Sequence, residues 1–86
     1  SIIKEHDLYR VRIMRLKPKR CYTYHYDISK RFHIPIETND SCFFIVDKKV
    51  VQFPANGMYY ILDTTKNHTA INASKKDRIH LIGNLK

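Results

Sequence analysis

The chain has 86 residues, 43% hydrophobic and 28% charged, which is enough for one small domain and excludes a large multi-domain enzyme. No apolar run reaches membrane-spanning length and none resembles a signal-peptide core, so no membrane partner is expected. The net charge is +8, from 16 basic and 8 acidic residues; the cations gather at Lys17, Lys19 and Arg20, at Lys48 and Lys49, and at Lys75 and Lys76, where turns are expected, so solvated loops account for most of it.

Strand formers dominate, with six Tyr and four Phe against two Gly and three Pro. Residues 8–16 alternate as a strand, Tyr9, Val11 and Ile13 on one face and Arg10, Arg12 and Met14 on the other. Pro18 marks a turn. Residues 21–26 form the second expected strand, with Tyr22, Tyr24 and Tyr26 facing away from Cys21, Thr23 and His25. Residues 31–36 form the third, with Phe32, Ile34 and Ile36 opposite Arg31 and His33. Strands at 42–46, 50–53, 58–62, 68–72 and 78–82 follow, and Asp47-Lys48-Lys49 reads as a hairpin connection. Met14, Phe43, Phe44, Phe53, Ile61 and Leu62 are the expected core. About eight short strands at even spacing indicate an all-β sandwich or barrel, and a jelly roll has that number. Cys21 and Cys42 lack metal or redox spacing and read as small, buried or half-buried groups in a reducing compartment. A cytoplasmic protein is therefore expected.

Polar residues occupy positions where a barrel normally buries apolar ones. His25 and Asp27, Arg31 and His33, and Arg78 and His80 each sit two residues apart, so each pair shares one strand face. His25, Asp27 and a distant His68 supply two imidazoles and a carboxylate, a set that leaves coordination positions open and suits non-haem Fe(II). A His-x-Asp pair alone is short and common. Arg78 adds weight, because a guanidinium inside a barrel needs an anion, and it pairs bidentately with a carboxylate.

The segments YRVRIMRLKP, HYD, RFHIPIETN, LDTTKNHTAIN and DRIHLIG, taken in order from Tyr9 to Gly83, resemble the aspartyl/asparaginyl β-hydroxylase family of Fe(II)- and 2-oxoglutarate-dependent oxygenases, which includes bacterial proline hydroxylases. The resemblance implies a double-stranded β-helix, a cupin-like jelly-roll barrel. It implies that His25, Asp27 and His68 ligate Fe(II), that Arg78 binds the distal carboxylate of 2-oxoglutarate, and that Arg31 and His33, at the family's R-x-H positions, line the co-substrate pocket. Asp63 and Asn72 match positions flanking the second histidine, as supporting or turn-forming groups. The animal enzyme that names the family carries Gly where this chain has Asp27, so the likeness is to members with a full triad. The implied reaction hydroxylates a C–H bond of an amino acid, a peptide or a protein side chain, with succinate and CO₂ as co-products. Family members carry extra elements around the barrel, so residues 1–86 are read as a single minimal jelly-roll domain or a trimmed core, with a homodimer able to supply missing walls. Two other readings stay open: a small basic β-barrel that binds nucleic acid, using the tyrosines as a stacking strip, and a metal-binding cupin without oxygenase activity. Nothing in the residues selects the substrate.

Overall fold

The computed structural model describes residues 8–85. Eight strands are present among them: β1 Leu8–Leu16, β2 Arg20–Cys21, β3 Arg31–Glu37, β4 Cys42–Val46, β5 Lys49–Val51, β6 Tyr60–Leu62, β7 His68–Asn72 and β8 Arg78–Leu85. The described residues contain no helix long and apolar enough to cross a membrane. The protein is thus all-β, as the residue alternation requires.

The pairing is nested. β4 pairs with β5, β3 with β6, β2 with β7 and β1 with β8, all antiparallel. At the centre of the nest, Asp47 and Lys48 adopt φ of 49° and 68°, the left-handed pair that a two-residue hairpin turn demands. The ribbon then winds on itself, because β3 also pairs with β8 and β4 with β7. Two four-stranded sheets result, in the orders β1-β8-β3-β6 and β2-β7-β4-β5.

The space between the sheets is only partly apolar. Leu16, Phe44, Leu62 and Ala70 form the buried cluster, with Val46, Val51 and Phe53 packed against it. Burial alternates along β8, where Arg78, His80 and Ile82 are buried and Ile79 and Leu81 are half-buried. Polar groups therefore share the interior, while Ile13, Ile36 and Ile61 lie on the outside, each about half exposed. Phe32 is fully buried because the Tyr59 ring stacks over it at 4.9 Å.

A bulge re-aims the start of β1. Tyr9 pairs with Asn84 but Arg12 pairs with Ile82, so β1 holds one extra residue there. Arg10 takes φ of 53° at this point. Arg12 then donates to Asn84 Oδ1 at 3.2 Å and to the Arg10 carbonyl at 2.6 Å.

Several sequence expectations change. The tyrosine-rich strand at 21–26 is reduced to Arg20–Cys21. After Tyr22 N donates to Ala70 O at 3.1 Å, the chain leaves the sheet and returns only at His25, which forms an isolated bridge to His68. Cys21 is consequently exposed, whereas Cys42 is buried, and both are free thiols. Ile61 of the expected core is exposed, and Met14, Phe43 and Phe53 are half-buried. Tyr22 lines the mouth of a cavity while remaining exposed, as Tyr24 and Tyr26 are. The three rings do not make one stacking platform.

Candidate metal centre and adjoining cavity

His25, Asp27 and His68 converge. One ligating atom from each lies within 4.8 Å of the others. The backbone explains the convergence: His25 N donates to His68 O at 3.0 Å, and His68 N donates to His25 O at 2.7 Å, so the two histidines face each other across the gap between strands. Two residues on, Asp27 N donates to Thr64 O at 2.8 Å, and Thr64 Oγ1 donates to Ser29 O at 2.7 Å. The 25–29 segment is thus tied to His68 at its start and to Thr64 at Asp27 and Ser29.

The hydrogen bonds also set the tautomers. His25 Nδ1 lies 2.5 Å from the Thr23 carbonyl and His68 Nδ1 lies 2.9 Å from the Lys66 carbonyl. A carbonyl oxygen can only accept, so each Nδ1 carries a proton and Nε2 is the ring nitrogen left to face the site. Those Nε2 atoms approach the Asp27 carboxylate, at 3.7 Å for His25 and 3.3 Å for His68. Asp27 Oδ2 is buried and has no hydrogen-bond partner. Two imidazole nitrogens thus converge on a carboxylate, a donor set that a divalent cation can bridge, and the carbonyls behind each Nδ1–H orient the rings as outer partners of metal-bound histidines do.

Arg31 lies on the other side of the carboxylate, with Nη2 3.2 Å from Asp27 Oδ1. It also lines a cavity of about 230 Å³ shared by His25, His68, His33 and Arg78. Leu62, Ala70, Ile82 and Phe44 supply apolar wall. Arg78 is 3% exposed and sits over the Phe44 ring at 5.4 Å. Its Nε has no hydrogen-bond partner, and no carboxylate among the described residues pairs with it. Burial lowers its pKa. A buried guanidinium beside a cavity is a group with which an anion can pair.

His33 and His80 form a second imidazole pair, Nδ1 to Nδ1 at 3.1 Å. Burial, with the neighbouring His80, Arg78 and Arg31, holds His33 well below the ordinary imidazole range. Burial, and then Arg78, lowers His80 to about 3. Both rings are therefore neutral near pH 7.

The structure gathers His25, His68, Arg31, His33 and Arg78 around one cavity, and Asp27 adjoins it through His25, His68 and Arg31. Asp63 and Asn72 lie apart from it. Asp63 Oδ1 accepts from Thr65 N at 3.2 Å, and Asn72 donates to Leu16 O and Lys76 O at 2.9 and 2.8 Å, so both form turns. Thr64 and Tyr22 line the cavity without having been singled out in the sequence. Thr64 carried one readable signal, a threonine directly after Asp63 in an otherwise polar turn. Tyr22 carried none, because strand alternation placed it outside.

A family model described as Aspartyl/Asparaginyl beta-hydroxylase matches residues 1–86. No curated protein matches the chain.

Proposed function

This chain belongs to the aspartyl/asparaginyl β-hydroxylase family, and from that premise we propose that it is an Fe(II)- and 2-oxoglutarate-dependent dioxygenase that hydroxylates a C–H bond of an amino acid, a peptide or a protein side chain. The nested strand pairing supports a double-stranded β-helix of the jelly-roll, cupin-like kind. One long hairpin wound into two sheets is what that name describes.

The observation that carries the reading is the Asp27 carboxylate, its Oδ2 buried without a hydrogen-bond partner, faced by the Nε2 atoms of His25 and His68. His25, Asp27 and His68 would hold Fe(II) and leave its remaining positions open. Bound there with 2-oxoglutarate and dioxygen, the iron supplies the oxidising chemistry that hydroxylates substrate and releases succinate and CO₂. Arg78 would hold the distal carboxylate of the co-substrate. Its burial means that little water competes for the guanidinium, which strengthens the pairing. Arg31 steadies Asp27, and the Thr23 and Lys66 carbonyls keep both imidazoles in the metal-binding tautomer. Phe44, Leu62 and Ile82 exclude water from the space between the metal centre and Arg78.

The test is an anaerobic titration of metal-free protein, first with Fe(II) and then with 2-oxoglutarate, followed by visible absorption. A charge-transfer band that needs both components is the expected result. A folded protein that binds Fe(II) and 2-oxoglutarate without producing the band overturns the chelate, and one that binds neither overturns the reading.

A further inference from the structure

We propose that His80, which does not line the cavity, is a positioning residue: its Nδ1–H donates to His33 Nδ1 and so fixes His33 as an Nε2–H donor facing the cavity. The proposal deepens the functional reading above and rests on it for the ligand, 2-oxoglutarate.

The geometry allows only two arrangements. The nitrogens are 3.1 Å apart, so a single proton lies between them and the two neutral rings take opposite tautomers. Either His33 carries Nδ1–H and His80 Nε2–H, or the reverse. Both Nε2 atoms are buried and lack a protein partner, so one ring leaves an N–H unmatched by protein and the other a bare lone pair. An orphaned N–H is the costlier of the two. His33 borders the cavity and His80 does not, and His80 is 1% exposed. Neither Nε2 has open surface, but His33 forms part of the cavity wall and His80 does not, so only an N–H on His33 belongs to a ring beside a space that a ligand oxygen could occupy. The arrangement with the proton on His80 Nδ1 is therefore favoured, and it points a neutral donor at the space that Arg78 also faces. Imidazolium is disfavoured for both rings by burial and by Arg78. A carboxylate in the cavity then meets one charged and one neutral donor, and the second is as good as the ring behind it.

The protein needs no bound ligand for the first half of the test. Histidine labelled with ¹⁵N and loaded with Zn(II), a diamagnetic substitute for Fe(II), is read by long-range ¹H–¹⁵N correlation. Expected is His33 as the Nε2–H tautomer and His80 as Nδ1–H; the opposite pair overturns the proposal. The second half is calorimetric titration with 2-oxoglutarate. His80→Leu, which cannot donate, should weaken binding about 10-fold, the usual worth of one neutral hydrogen bond. His80→Asn places an amide N–H where the imidazole had one and should recover most of that loss. Unchanged affinity in His80→Leu, or equal loss in both variants, would mean that His80 only fills space. A wild-type protein that shows the expected tautomers and binds no 2-oxoglutarate leaves His80's role intact and removes the ligand assignment instead.

Discussion

At the scale of single residues, the interior holds an arginine that no carboxylate among the described residues pairs with. Arg78 is buried with an unpartnered Nε and a phenyl ring beneath it. Replacing such a group by an apolar one of similar length commonly leaves a fold as stable or more so. Arg78→Met is expected to keep or raise the urea midpoint while weakening 2-oxoglutarate binding about 100-fold, because charge-assisted hydrogen bonds are worth about 1.5–3 kcal/mol each. A lower midpoint together with unchanged binding would show the reverse, a structural arginine. His80 gives a pH dependence. Its folded pKa, about 3, lies below the unfolded value near 6.5. The folded state thus binds fewer protons. The associated stability is complete above about pH 6.5 and is lost as pH falls toward 3, at about 1.4 kcal/mol per pH unit. Urea unfolding at pH 7 and pH 5 should show a loss that is about 2 kcal/mol smaller in His80→Leu than in the parent protein. Parallel pH profiles would remove the assignment.

At the scale of elements, the alternation of residues found the strands wherever a ladder forms and failed where the backbone bonds elsewhere. Arg31 and His33, and Arg78 and His80, share faces because β3 and β8 are paired along their length. The same period applied to Tyr22, Tyr24 and Tyr26 misleads, since between Cys21 and Tyr26 the backbone meets β7 at Tyr22 and His25 and forms no continuous ladder with it. Long-range pairing decides that, and no local pattern reports it. His25 still reaches the site, through its bridge and not through strand period. The bulge at Arg10 is equally silent, because an arginine at positive φ carries no sequence mark. Gly57 does carry one. At φ +81° with nothing within 4 Å of an added Cβ, it occupies a conformation that costs an L-residue about 1 kcal/mol. Gly57→Ala should lower Tm by roughly 5 °C without altering the metal centre, and an unchanged Tm would mean that the 54–59 turn relaxes freely.

At the scale of the whole molecule, the all-β class was legible in the strand-forming composition, and the meeting of His25 and Asp27 with His68 was anticipated from polar pairs at strand spacing together with the family resemblance. The nesting was not legible, since each partner lies farther along the chain than any local signal reaches. The metal centre spans that nesting, so a cation bound there holds together segments distant in sequence. Fe(II) added anaerobically at about 100 times its dissociation constant should contribute about 2.7 kcal/mol and raise Tm by on the order of 10 °C; an unaltered melting curve would mean that folded and unfolded chains bind it alike. The nesting also implies an order of assembly. Closing the two-residue turn at Asp47 and Lys48 costs least chain entropy, and each outer pair must enclose a longer loop. A chain zipping outward from that turn opposes His25 to His68 before β1 and β8 close, and Arg78 arrives with β8. His25, Asp27 and His68 thus come together ahead of Arg78, so on the proposed reading the folding chain would be able to hold a cation before it could hold the co-substrate's carboxylate.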